Sequence, residues 1–171
     1  MQPLFETERL SLREFVPDDA PFVLQLLNDP DWHRFIGDRG IRTEDGAREY
    51  LVNGPIAMYA ARGFGLWRVA LKADDKPIGM CGLIKRDTLE YVDIGFAYMP
   101  AFRGYGYGLE AAQATLDFGR DRLGLKRILG IAAPYNAPSI ALLEKIGLRF
   151  DRTIPSLRGE GESRQFAVDF D

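Results

Sequence analysis

Between residues 90 and 112 the chain changes local geometry twice, and that change constrains what can be built around it. Glu90–Tyr98 reads as an apolar strand, the loop after it carries glycine at 104, 106 and 108, and a helical pattern follows at Leu109-Glu110-Ala111-Ala112. A strand feeding a glycine turn and then a helix makes an anion cradle. Glycine lets the backbone turn tightly and approach a ligand, because no Cβ stands in the way. The free N–H groups of the first helical turn then point at the ligand, and the helix dipole adds favourable potential. Arg103, at the loop mouth, has a charge suited to phosphate oxygens. A loop that only connects has no need of alternate glycines between two strongly patterned elements.

The glycine spacing narrows the anion. A nucleoside triphosphate loop needs G-x-x-x-x-G-K-[ST], and no Lys-Ser or Lys-Thr follows these glycines. A dinucleotide loop needs G-x-G-x-x-G and an acidic residue about 20 positions on. Here the spacing is G-x-G-x-G, the next strand, Lys126–Ala133, has no carboxylate, and the unit comes late, after strands of antiparallel type. The remaining pattern, Arg103-Gly104-x-Gly106-x-Gly108 after an apolar strand, resembles the pyrophosphate loop of the GNAT superfamily of N-acetyltransferases, which binds acetyl-coenzyme A.

The resemblance extends along the whole chain. Thr7–Phe15 (T-E-R-L-S-L-R-E-F) followed by Pro17-Asp18-Asp19-Ala20 resembles the opening of the RimJ/RimL-like branch, the ribosomal-protein N-terminal acetyltransferases. Gly63–Leu71, Ile78–Leu83 and Ile94–Tyr98 are similar to its middle strands, and Asn136-Ala137-Pro138-Ser139 with Leu143-Glu144-Lys145-Ile146-Gly147 to its late N-x-x-S…E-K-x-G motif. The resemblance implies one GNAT domain over residues 1–171 and direct transfer of acetyl from acetyl-CoA to a primary amine, on a protein N-terminus or a small molecule. Many members of the branch act on substrates other than ribosomal proteins. A non-catalytic acyl-CoA-binding sensor or scaffold is the alternative.

Composition bounds the rest. At 171 residues the chain reads as one domain with a single substantial core. Its apolar content of 46% and charged content of 27% are those of an ordinary globular protein. A net charge of −3 argues against a general nucleic-acid binder. One cysteine, Cys81 in an apolar strand pattern, excludes an internal disulfide and reads as a buried inert thiol. With His33 the sole histidine, no metal site is expected. The start, M-Q-P-L-F-E-T-E-R, lacks a secretory pattern, and no apolar run approaches the ~20 residues of a membrane span. A cytoplasmic location follows, with partners limited to an amine-bearing small molecule or peptide and a second copy of the chain as a homodimer, not nucleic acid or membrane.

Periodicity supplies the architecture. Arg9–Phe15 alternates as a first strand, Pro17-Asp18-Asp19 opens a helix with Phe22, Leu26 and Leu27 at helical spacing, and Asp31–Arg42 reads as a short helix and loop. Thr43 caps a second long helix, which Gly54-Pro55 is expected to kink or break and Gly63 to stop. Phe64–Leu71, Pro77–Lys85 and Leu89–Met99 then form an antiparallel meander with the middle strand central. After the loop-helix unit, Arg127–Ala133 is parallel to its predecessor. Helix Ala137–Ile146, strand Leu148–Ile154 and strand Arg164–Phe170 close the chain. The fold class is α+β: a mixed, mostly antiparallel sheet with helices on both faces.

The resemblance also implies roles. Backbone N–H groups of Arg103, Gly104, Tyr105, Gly106, Tyr107, Gly108 and Leu109 hold the pyrophosphate, and the backbone of Phe96, Ala97 and Tyr98 meets the pantetheine arm where two strands splay. Asn136 reads from its position as a helix N-cap, and by resemblance also as a ligand of the arm. Ser139 reads as a first-turn serine, and by resemblance as the group that protonates or stabilises the leaving thiolate. Many members use a tyrosine where this chain has Leu143, which raises the weight on Ser139, Tyr135 or water. Asp93 is the candidate base, against the reading of a strand aspartate satisfied by an arginine, and Glu90 is a weaker alternative. Trp32, His33 and Phe35 are candidate acceptor contacts or core residues. The acceptor walls fall in Asp31–Arg42 and Ser156–Ser163, where no single charge fixes a substrate.

Overall fold

The chain enters through a short hairpin. In the computed structural model, which describes residues 1–171, β1 (Phe5–Glu6) folds back on β2 (Leu10–Glu14), with Phe5 opposite Leu12. Alternation predicts β2, but two residues are too few for a period, so β1 is legible only in space. α1 (Ala20–Leu27) and α2 (Pro30–Phe35) follow, each with proline in its first turn, where the missing N–H has no partner to lose. Thr43 caps α3 (Glu44–Leu51), its hydroxyl accepting from the Gly46 N–H at 3.0 Å.

Of the kink or break expected at Gly54-Pro55, the break does not occur. Val52–Ile56 is a π-helical turn that carries Pro55 inside it and runs into α4 (Ala57–Arg62). The wider turn accommodates the N–H that proline lacks without ending the helix. Gly63 does end it, at φ 79°.

β3 (Leu66–Leu71), β4 (Pro77–Ile84) and β5 (Asp93–Tyr98) form the antiparallel meander, with β4 buried along nearly its whole length. The strand expected from Leu89 begins only at Asp93, which leaves Glu90 in an exposed bend. α5 (Tyr107–Asp121) crosses over to β6 (Arg127–Ala132), parallel to β5. α6 (Ala137–Lys145), β7 (Arg149–Pro155) and β8 (Glu162–Asp169) complete a sheet of order β1-β2-β3-β4-β5-β6-β8-β7, in which β5–β6 is the one parallel pair.

Side-chain alternation along β4 divides the core. Met80 joins Val23 and Leu26 of α1 and Ala47 and Leu51 of α3 on one face. Cys81 and Leu83 join Ala111, Ala112 and Leu116 of α5 and Leu143 of α6 on the other. Helices thus cover both faces. Burial pushes the Cys81 thiol up to about 11, so it stays protonated beside the Thr115 hydroxyl, 3.4 Å away. No helix is long and apolar enough to cross a membrane.

Candidate active site

The site begins where the sheet divides. β5 and β6 pair only at Asp93 with Leu129 and Ile94 with Gly130, although β5 continues to Tyr98 and β6 to Ala132. Backbone direction along β5 follows from one bond. The Met99 N–H donates to the Ile78 carbonyl on β4 at 2.9 Å, so alternate residues 97 and 95 also face β4. The polar backbone groups of Phe96 and the Tyr98 N–H therefore face the gap, the Tyr98 carbonyl is taken by Arg103, and the groups of Ala97 face β4 instead. This corrects the equal treatment of the three residues.

Beyond the gap lies the glycine loop. Gly104 and Gly106 take φ of 85° and 82°, a left-handed conformation that costs side-chain-bearing residues roughly 1–2 kcal/mol. The two turns line up the amides of residues 104–109, and none of these N–H groups has a hydrogen-bond partner within the chain. The amides of Tyr107, Gly108 and Leu109 belong to the first turn of α5, where helix geometry leaves them free.

Arg103 departs from the expectation of a free charge. Its backbone N–H is taken by the Pro100 carbonyl. Its guanidinium pairs with Asp29 at 2.7 Å and with Asp31, and donates to the Tyr98 carbonyl through Nε at 3.1 Å and Nη2 at 2.7 Å. Asp29 is buried, so the arginine answers a charge that would otherwise stand alone. The cation on the loop is instead Arg9, from β1–β2. Its Nη1 donates to the Tyr105 carbonyl at 2.9 Å, its Nε to Glu110 at 3.0 Å, and its guanidinium lies 4.4 Å from the Tyr107 ring centroid. Burial alone would raise the Glu110 carboxyl, but hydrogen bonds from Thr7 and Arg9 hold it below its ordinary value. Sequence reasoning missed Arg9 because its partners lie about a hundred residues away; its place in the opening T-E-R motif was the available signal.

On the far side of the gap, Asn136 caps α6, its side-chain oxygen accepting from the Ser139 N–H at 3.3 Å. Ser139 is half-buried one turn on. Leu143 is core, 1% exposed and packed against Gly130, where an added Cβ would come within 2.5 Å of it. Tyr135 stacks on Phe35 with centroids 5.8 Å apart, and its hydroxyl donates to the Arg34 carbonyl at 3.2 Å. α2 is thus tied at its start to the loop after β5 and at its end to the loop after β6.

These elements enclose one cavity of about 1640 Å³, on which Phe96, Gly106, Asn136, Ser139, Trp32 and Phe35 all open. His33 does not line it; its Nε2 turns to Asp38 at 3.6 Å. Asp93 does line it, but is buried and meets Arg86 through Nε at 2.9 Å and Nη2 at 3.4 Å. Burial raises the Asp93 carboxyl against the pull of Arg86. That is the arginine-satisfied aspartate weighed against a base. Glu90 stands outside the cavity. No cluster of His, Cys, Asp or Glu side chains is placed to hold a metal ion.

The cavity, the parted strands and the row of unengaged amides suit a long ligand with a phosphorylated end. Known proteins point the same way. YnaD of Bacillus subtilis, an N-acetyltransferase whose own role is uncharacterised, is 32% identical over 153 residues, 87% of this chain and 86% of the relative. A GNAT acetyltransferase of Bacillus anthracis is 28% identical in solved structure, with TM-score 0.79 over 96% of each chain. RimL, a ribosomal L7/L12 alpha-N-protein acetyltransferase solved with coenzyme A, shares the fold at TM-score 0.80 over 99% of each chain and 15% identity. Residues 9–149 match the acetyltransferase (GNAT) domain, and the chain accordingly belongs to the GNAT family of N-acetyltransferases, enzymes that draw their acetyl group from acetyl-CoA.

Proposed function

We propose that this enzyme transfers acetyl directly to a primary amine, on a small molecule or a peptide N-terminus, bound in the same cavity as acetyl-CoA. The observation that carries the reading is the run of unengaged amides at residues 104–109 beside the gap between β5 and β6. When bound, acetyl-CoA supplies a thioester already activated toward amines. The chain has to hold, orient and move one proton; no covalent nucleophile is needed.

The amides of Gly104 to Leu109 hold the pyrophosphate, with the α5 dipole behind them. The backbone groups of Phe96 and the Tyr98 N–H take the pantetheine arm, the Tyr98 carbonyl being held by Arg103, and one of these N–H groups polarises the acetyl carbonyl. Asn136 fixes the start of α6 and so the position of Ser139, whose hydroxyl serves the departing sulfur. Leu143 has no proton to give. Arg103 and Arg9 act from behind as positioning residues, one holding the end of β5 and the other the outer side of the loop. Asp93 keeps Arg86 in place, and the amine reaches the site already neutral or loses its proton to water.

Calorimetric titration with acetyl-CoA, ATP and NAD, followed by release of free thiol in the presence of amines, tests this. Micromolar affinity for acetyl-CoA alone, about −8 kcal/mol, with amine-dependent thiol release is the expected outcome. Absence of acetyl-CoA binding by folded protein refutes the reading. Binding without thiol release on any amine would favour the sensor or scaffold alternative.

A further inference from the structure

Two loops far apart in sequence meet at the cavity, and both bring an exposed arginine. Arg39 follows α2 and Arg158 lies between β7 and β8; with Arg86 they line the cavity beside Asp93. The loops touch: the Arg158 Cδ lies 3.7 Å from where a Cβ on Gly37 would stand. Arg39 lies over the half-buried Tyr50 ring, 5.2 Å from its centroid. Of the three, Arg86 is matched by Asp93. No carboxylate lies within ion-pair distance of Arg39 or Arg158, although Glu49, Glu160 and Glu162 also line the cavity. A chain of net charge −3 thus leaves two guanidiniums on the cavity lining without a paired carboxylate.

From this wall, and resting on the acetyl-transfer reading above, we infer that the acceptor is a small primary amine that also carries an oxyanion, a carboxylate or a phosphate, held by Arg39 and Arg158. Both guanidiniums are planar forks suited to such groups. Arg158 is open to solvent along one side, yet the surrounding protein, together with Arg86 and Arg39, still lowers its pKa, with Asp93 and Tyr50 opposing. An oxyanion placed between the loops relieves that repulsion.

The test uses matched acceptors with the full-length enzyme and saturating acetyl-CoA. One set is 4-aminobutyrate, its amide and 1-aminobutane; the other is phosphoethanolamine and ethanolamine. An acidic member is expected to exceed its neutral twin in kcat/KM by about tenfold or more, as a charge-assisted contact implies. The set that responds identifies the oxyanion. Arg158→Gln and Arg39→Gln are each expected to reduce that ratio through KM, with the acetyl-CoA Kd unchanged, and Arg158→Lys to keep part of it. Neutral twins turned over as well as the acids, or variants that slow both alike, would overturn the inference. Acetyl-CoA binding with no acid acetylated overturns it too, while leaving the donor site standing. Loss of acetyl-CoA binding by the wild type removes both readings.

Discussion

Replacing Gly106 by valine asks whether the left-handed turn aims the amides of the loop. Gly106 sits at φ 82°, immediately before α5, and an added Cβ would meet only the Arg9 Nη2, at 3.4 Å. Space is therefore not the obstacle; backbone conformation is. A side-chain-bearing residue in this region costs roughly 1–2 kcal/mol, and a β-branched one is a genuine outlier. The free loop escapes that cost by relaxing, which turns the amides of residues 104–109 out of line. Binding must then restore the strained turn, so the acetyl-CoA Kd should rise at least about five- to thirtyfold, the equivalent of 1–2 kcal/mol. Gly147→Val is the control. Gly147 has φ 102° and open space around it, but it ends α6 away from the loop. It should lower Tm by roughly 2–8 °C for the same strain and leave Kd alone. The assay is calorimetric titration with a thermal melt on each variant. A Kd for Gly106→Val within twofold of wild type would sink the argument that this turn aligns the donors.

Other perturbations address single links of the same structure. Ser139→Ala should lower kcat with little change in acetyl-CoA Kd, read by steady-state kinetics beside calorimetry; unaltered turnover would remove its proton-transfer role. Arg103→Ala strips the buried Asp29 of its partner and frees the Tyr98 carbonyl, and should cost about 1–3 kcal/mol in urea unfolding. Asp19 accepts from Arg13 at 2.8 and 2.9 Å and from the Val16 N–H at 2.9 Å. Burial alone would raise Asp19, but these contacts outweigh it and hold it below its ordinary value. Its contribution is complete above the unfolded pKa of about 4 and is lost as pH falls through the lower folded value. Asp19→Asn should therefore destabilise at pH 7 and flatten the acid limb of the stability profile; an unchanged limb would disprove the linkage.

The loop, the crossover and the order of the central strands were legible because each rests on local rules: glycine spacing, helix direction and turn length. The π-turn at Val52–Ile56 was not, since proline read locally means a kink or a break and only the continuation into α4 excludes the break. The charges at the site were misjudged for a different reason. Arg103 stands next to the glycines in sequence, yet Asp29 and Asp31, more than seventy residues earlier, claim it. Arg9, Arg39 and Arg158 reach the cavity or the loop only through tertiary contacts that no periodicity reports. His33 drew notice as the sole imidazole, but the helix turns it away from the cavity. Leu143 has no ionisable proton, and its burial on Gly130 shows that it fills space there.

The tethering of α2 at both ends has a mechanical consequence. Arg103 grips its first residues and Tyr135 its last, and these two residues follow the two strands that part. A helix from Pro30 to Phe35 spans about 9 Å at 1.5 Å per residue. It ties the two loops that follow the parted strands to one short helix, and so resists a change in their separation. The enzyme need not spend binding free energy on prising the strands apart, and substitutions in α2 would retune the gap without touching a single group inside it.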